Sequence, residues 1–524
     1  MSIKNKKQGN YKFCILAAGK GTRNTSVSGL HKALLPLENK ATISHIIRSV
    51  PKNIEIVIAV GYKNEQVQSY IQNVFFDRNI KFVYVENYDG EGSGPGYSLL
   101  QCKDFLQTPF IFTSADTIIK ETHMLDKLEE NWLGVSRIDP DESSKYCLVD
   151  GKKYLDKLYY GHGSRAYIGM AGVYDYKSYW KHLEDGNYTH GEYQVISGFN
   201  GLQKIKLLDF TWFDTGNNQS YNHARKNFAN EIVAVKNKEV VFIEDNKVIK
   251  YFDDSKKIDK RIERVEYLCK CSPDVIQINE NMYSYDYIKG DLLSKVLDEN
   301  VLKDILYFYK NKFAPTQYEK TDDFLKDCKK MYYDKTINRI KPFANTYLDK
   351  IEYINGIKVE GITNLIKKID WNSIYNTSIP SNFHGDFQPE NIIYDGKTFK
   401  LIDWRDSFGD SISIGDFYYD LGKLYHALLI NGQVVLSKGY DYSIKNNQAY
   451  VEYNIKNNLF FLVNYFEDFC NENDLKWDNV VLLGILQYIG ICSLYKDFHN
   501  GRYGEFLFLL GKYMLTNFLN RTKQ

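Results

Sequence analysis

Compact apolar or β-branched runs recur through the first two hundred residues, at Lys12–Ala17, Glu55–Ala59, Lys81–Val85 and Phe110–Thr113. Between them, Ile43–Val50 and Glu65–Asn73 carry apolar residues at helical spacing. Alternation of this kind predicts an α/β domain: a Rossmann-like, mostly parallel sheet with flanking helices. In such a sheet the ligand site lies beyond the carboxyl ends of the strands.

After about residue 230 the pattern changes. Glu239–Ile243 and Lys247–Phe252, joined by a turn at Glu244–Asn246, predict a hairpin, and Ser255–Leu268 predicts a helix with Ile258, Ile262 and Val265 on one face. From Asp291 onward helical periodicity dominates, broken by a β-like block around 380–404. The expected organisation is therefore two domains, 1–230 and 231–524, the second α+β.

With 524 residues and 44% hydrophobic content, each half can bury its own core. The 67 basic and 66 acidic residues nearly cancel, which excludes a general attraction to nucleic acid or acidic membranes and favours small-molecule chemistry. The eight scattered cysteines lack a zinc-site pairing and read as reduced thiols. Residues 1–12 are polar and basic, with no signal-peptide pattern, and the apolar stretch Val480–Tyr495 reads as a buried helix and not a membrane insertion. A cytoplasmic protein is expected.

Residues 12–23, KFCILAAGKGTR, form an apolar strand running into a glycine-rich turn. Gly19 and Gly21 allow backbone N–H groups to approach phosphates, and Lys20 or Arg23 can neutralise them. The spacing is neither a Walker A loop nor a dinucleotide-binding fingerprint. Residues 110–117, FIFTSADT, end an apolar strand in Asp116, and WFDTG at 212–216 supplies Asp214. Two carboxylates from different strands suit Mg²⁺, which takes oxygen ligands and bridges phosphates.

These pieces resemble the nucleotidylyltransferases that make nucleotide sugars and related CDP-activated compounds. The matching segments are LAAGKGTR (16–23), KALLP (32–36), AGVY (171–174), Glu192-Tyr193 and FDTG (213–216), in family order over about residues 10–230. The resemblance implies a nucleotide cradle at Ala17, Ala18, Gly19, Gly21 and Thr22, with Arg23 and Lys32 as catalytic cations. It further implies Asp116 and Asp214 as Mg²⁺ ligands and Gly172 and Glu192 near the acceptor. The segment GSGPGY at 92–97 occupies the place where family members recognise the base.

A second constellation lies at 383–391, FHGDFQPEN, followed by LIDW at 401–404. Asp386 can accept the proton of an attacking hydroxyl, Asn391 can coordinate Mg²⁺, and Asp403 ends an apolar stretch where a second metal ligand is required. The spacing resembles the aminoglycoside phosphotransferase and choline kinase superfamily. That likeness implies a protein-kinase-like, two-lobed domain, with an N-lobe over about 235–288 and a C-lobe over about 289–524. Lys250 would pair the ATP phosphates, and Glu263 or Glu266 would be its helix carboxylate. YDYIKG at 285–290 would be the hinge, and Asp416 and Asp420 would support the loop.

Together the two resemblances imply a bifunctional enzyme. ATP would phosphorylate a small alcohol, polyol or sugar, and a second NTP, with CTP favoured, would couple to the product and release pyrophosphate. The product would be an activated donor for surface-polysaccharide decoration. The HGD loop and sugar-type transferase motifs leave a second reading, an anomeric sugar kinase fused to a UDP- or GDP-sugar pyrophosphorylase. A third reading keeps one half catalytic and makes the other a regulatory ligand-binding module.

Overall fold

The computed structural model describes residues 10–186, 188–189, 192–229, 236–314, 318–430, 432–454, 457–496 and 498–522. By internal contacts the chain divides into two units. The first comprises Met1–Ser255 and Gln277–Ser284, the second Lys256–Ile276 and Tyr285–Gln524.

At the centre of the first unit, Ile80–Tyr84, Ile56–Val60, Lys12–Ala17 and Phe110–Ser114 lie side by side in that order, all parallel. This is the parallel core that strand–helix alternation predicts. The chain winds outward in one direction from Lys12–Ala17, then returns to its other side with Phe110–Ser114. A crevice therefore opens past Ala17 and Ser114, at the switch point. Beyond Phe110–Ser114 the sheet turns antiparallel at Arg165–Val173, which pairs with Trp132–Arg137 and Leu148–Asp150.

Strand periodicity sorts the side chains onto two faces. Phe13, Ile15, Ile56 and Ile58 join one hydrophobic cluster, covered by Ile43 and Ile47 of helix Thr42–Ser49 and by Tyr70 of helix Asn64–Val74. Cys14, Leu16, Val57 and Phe112 join the other, covered by Leu99 and by Tyr179 and Trp180 of helix Tyr176–Glu184. Both faces are apolar because both are covered.

The hairpin Glu239–Glu244 and Lys247–Phe252 forms as expected. By contacts it belongs to the first unit, although the expected domain limit precedes it; residues 230 and 231, at that limit, lie outside the described residues. The cause is its packing. Phe242 and Ile249 enter the same cluster as Ile43, the Phe242 and Tyr70 rings stand edge to face at 5.1 Å, and buried Glu244 accepts from Tyr70 Oη (2.6 Å) and Arg48 (2.6 Å).

The second unit is mainly helical. Ser255–Glu263 forms a helix that tightens into a 3₁₀ turn over Arg264–Tyr267. The β-like block resolves into an antiparallel pair, Ile392–Tyr394 with Phe399–Leu401. Helix Phe417–Leu429 is buried along its whole length against helix Trp477–Ile491. Gly422 and Gly484 permit that approach: a Cβ on Gly422 would meet Leu483 Cβ at 2.8 Å, and one on Gly484 would meet Tyr425 at 2.4 Å. The segment Trp477–Tyr495 is long and apolar enough to cross a membrane, yet 72% of its most apolar window is buried inside the protein.

Candidate functional site

In the first unit a cleft of about 1320 Å³ opens at the carboxyl ends of the central strands. The glycine-rich turn forms one wall: Gly19, Lys20, Gly21, Thr22 and Arg23 all line it. Gly21 has φ +63°, and a Cβ there would lie 2.5 Å from Lys32 Cδ, so this position requires glycine. Ala17 is buried at the strand end and Ala18 lines the cleft floor. Lys20 pairs with Asp89 across the opening.

The two predicted carboxylates do converge. Trp212–Asp214 pairs antiparallel with Thr117–Ile119, bringing Asp214 opposite Thr117 and beside Asp116. A Cβ on Gly216 would stand 3.0 Å from Asp214 Oδ1 and 3.1 Å from Asp116 Oδ2. Lys32 Nζ lies 2.9 Å from Asp116 Oδ2, its turn capped by His31, whose Nδ1 accepts from Ala33 N (3.1 Å).

Burial disfavours the Asp116 carboxylate, but the Lys32 ammonium and the Arg23 charge outweigh it and hold the group below the ordinary range. Asp214 is pushed up, first by burial and then by the negative charge of Asp116. A divalent cation would relieve that repulsion. Among the described residues no group of three His, Cys, Asp or Glu side chains could hold a metal. Mg²⁺ does not need one: one or two carboxylates plus substrate phosphates and water complete its shell. Asp116 and Asp214 fit that demand.

Other predicted positions fall differently. Glu192 is exposed on the cleft wall, and Ser93, Gly94 and Pro95 of the GSGPGY segment line the same cleft. Gly172 is buried beneath Trp132, where a Cβ would lie 2.2 Å from Nε1, so its role is packing. The glycine of that strand facing the cleft is Gly169, at φ +77° where the pairing register shifts. The sequence reading missed Asn24, whose Nδ2 donates to Thr215 O (3.0 Å) and ties the glycine turn to the second aspartate's segment.

In the second unit the residues of FHGDFQPEN gather around Asp386. Its Oδ2 accepts from Asn391 Nδ2 (3.0 Å), and its Oδ1 lies 2.9 Å from Lys423 Nζ. Burial raises this carboxyl and the Lys423 charge more than reverses the effect, so Asp386 sits below the ordinary range. Asp403, at φ +58°, faces Arg261 Nη1 (3.0 Å). Asn391 and Asp403 present an amide and a carboxylate, hard ligands that fit Mg²⁺ with ATP phosphates.

Support for this loop comes from beneath. Asp420 accepts from His384 N (2.6 Å) and Gly385 N (2.8 Å), and burial pushes it up to about 6. His384 is dropped to about 4 by burial and bonds Ile402 O through Nε2 (3.0 Å), so it braces the loop as a neutral ring. Arg264, fully buried, donates to the carbonyls of Ile412 (2.9 Å) and Phe383. Glu263 and Glu266 are exposed, and the buried face of their helix is Arg261 and Arg264 instead. Lys250 is buried on Lys247–Phe252 of the first unit. Lys423 was not anticipated, although its i+3 spacing from Asp420 on one helix face is a readable signal.

Residues 13–160 match the MobA-like NTP transferase domain family. Among curated relatives, the bifunctional protein GlmU of Methanocaldococcus jannaschii is 27% identical over 248 residues, 45% of this chain and 58% of that protein. GlmU of Methanococcus maripaludis is 30% identical over 133 residues, 25% of this chain and 30% of that protein. The chain thus spans 30% to 58% of these relatives' length. Among solved structures, CTP:phosphocholine cytidylyltransferase from Streptococcus pneumoniae (LicC) is 19% identical with a TM-score of 0.36, covering 41% of this chain and 97% of that one. The inositol-1-phosphate CTP transferase from T. maritima is 19% identical with a TM-score of 0.34, covering 44% and 100%. The family match lies within the first unit.

Proposed function

We propose that the chain is a bifunctional enzyme: a small-molecule kinase over about 231–524 supplies a phosphomonoester that the NTP transferase domain over about 1–230 couples to a nucleotide. The observation that carries this reading is the pair of acidic centres, Asp116 with Asp214 in the cleft and Asp386 with Asn391 in the loop. Each holds one carboxylate ionised by a lysine 2.9 Å away.

In the kinase step a hydroxyl oxygen attacks the γ-phosphorus of ATP, ADP leaves, and Asp386 takes the hydroxyl proton. Asn391 supports that carboxylate through its amide. Lys250 is assigned to the ATP phosphates, with Glu263 or Glu266 as its helix carboxylate. In the transferase step an oxygen of the phosphomonoester attacks the α-phosphorus of the second NTP, and pyrophosphate leaves. Gly19 to Thr22 cradle the triphosphate, Lys32 and Arg23 offset charge building on the α-phosphate, and Glu192 orients the acceptor. Mg²⁺, when bound with nucleotide at either centre, supplies charge neutralisation and alignment. CTP is the favoured nucleotide. The product would serve surface-polysaccharide decoration in the cytoplasm.

The reading is tested by measuring ADP and pyrophosphate release separately from the full chain. CTP, UTP, GTP and dTTP are offered one at a time with a pool of alcohols, polyols and sugars. Pyrophosphate release that requires prior ATP turnover supports the reading. Pyrophosphate release that never depends on ATP would separate the two halves functionally.

A further inference from the structure

Within the second unit, next to Asp386, lies a cavity of about 80 Å³ whose wall is unusually basic. Lys335, Arg339, Arg405 and Lys423 all line it, with Gln487 and Leu486, and no aspartate or glutamate is among its described lining residues. Lys423 is the one tied to an acid, Asp386. Lys335 Nζ donates to the Tyr419 hydroxyl (3.0 Å), Arg339 to Gly490 O (3.1 Å), and Arg405 Nε to Ser407 O (3.0 Å). A guanidinium has five N–H donors, so each arginine keeps donors to spare.

Four cations converging on a small, partly dehydrated space repel one another unless an anion joins them. The field is felt by its neighbours. Burial, with the charges of Arg405 and Lys423, drops Lys335 to about 8 despite the Tyr419 phenol. Burial would raise Tyr419, yet Lys335, Arg405 and Lys423 draw it down to about 8. A volume of this size has room for a carboxylate or a tetrahedral phosphate.

Resting on the kinase reading, we infer that this cavity holds an anionic group of the acceptor, so the molecule phosphorylated is a hydroxy acid or a phosphorylated polyol and not an amino alcohol. The Lys423 side chain spans from the cavity wall to Asp386 Oδ1, which leaves the acceptor's hydroxyl at the base while its anion sits among Lys335, Arg339 and Arg405. In the reaction the O–H oxygen bonds to the γ-phosphorus as the β,γ P–O bond breaks, ADP departs with the electron pair, and the proton passes to Asp386.

The test offers small alcohols in four charge forms to the full chain with Mg²⁺ and ATP: glycerate, glycerol 3-phosphate, glycerol and 2-aminoethanol. Alongside, inorganic phosphate is titrated into the wild type, Lys335→Met, Arg339→Gln and Arg339→Lys while thermal unfolding is followed. Phosphate is expected to bind the wild type at least about 10-fold more tightly than Lys335→Met or Arg339→Gln, with Arg339→Lys in between. An anionic acceptor is expected to lose about 10- to 100-fold in kcat/KM through KM in those variants, with KM for ATP unchanged. Equal phosphate affinity in all four proteins overturns the inference. So does Asp386-dependent phosphorylation of glycerol or 2-aminoethanol that Lys335→Met leaves intact, and there the kinase reading survives. Failure to bind Mg–ATP at all would remove the kinase reading itself, and the acceptor role with it.

Discussion

Lys32 stands 2.9 Å from Asp116 in the first unit, and Lys423 stands 2.9 Å from Asp386 in the second. In both places burial raises the acid's pKa, and in both a neighbouring ammonium more than offsets it. The second carboxylate marks the difference. Asp214 rises through burial and the like charge of Asp116, which the Gly216 N–H (2.7 Å), the Ser220 hydroxyl and the Arg23 charge only partly offset, whereas Asp403 is matched by Arg261 at 3.0 Å. A cation arriving with nucleotide would relieve the repulsion between Asp116 and Asp214. Asp403 already faces a cation, Arg261.

The largest effects should separate the two centres. Asp386→Asn is expected to lower ATP-dependent phosphorylation by about 10²- to 10⁴-fold while nucleotidyl transfer to a supplied phosphomonoester persists, and Asp116→Asn should do the reverse. Steady-state rates of ADP and pyrophosphate release check both. Next in size is Gly21→Ala. Its Cβ meets Lys32 Cδ at 2.5 Å from a left-handed backbone, so Lys32 must move, and nucleotidyl transfer should fall by about 10²-fold with kinase activity retained.

The pH profiles sharpen the contrast. Asp386 lies below its ordinary value of 3.8, so its ionisation should impose no acid limb on kinase kcat/KM above that value; in Lys423→Met burial is unopposed and a limb should appear at higher pH. Asp214 lies above 3.8, so nucleotidyl transfer should rise with pH through its raised pKa, and higher Mg²⁺ should move that limb downward as metal competes with the proton. The smallest effect concerns Gly172. Gly172→Ala should cost about 1–3 kcal/mol by overpacking against Trp132, seen as a lower Tm, with KM values unchanged.

Much of the first site was legible because its signals are local. A strand followed by a glycine turn, and a strand ending in aspartate, each place their functional residue at a strand's carboxyl end. The antiparallel arm around Arg165–Val173 was not legible, since a buried apolar run reads alike in either direction. Gly172 and Gly169 illustrate the same gap: which of two glycines opens to the cleft depends on a register shift that the sequence does not display. In the second unit the order Asp386, Asn391, Asp403 was readable from spacing, whereas Lys423, Arg261 and Arg264 act from other elements and emerge only on packing. The hairpin formed as its alternation predicts, but its allegiance rests on Phe242 against Tyr70 and on buried Glu244, contacts across more than 170 residues of sequence.

The central claim, two reactions in series on one chain, is tested most directly by phosphorus NMR of the full chain with Mg²⁺, ATP, CTP and the acceptor panel. The account predicts a diphosphodiester from the wild type, a phosphomonoester that accumulates with Asp116→Asn, and neither product with Asp386→Asn. A wild type that yields only the phosphomonoester with every nucleotide offered would contradict it.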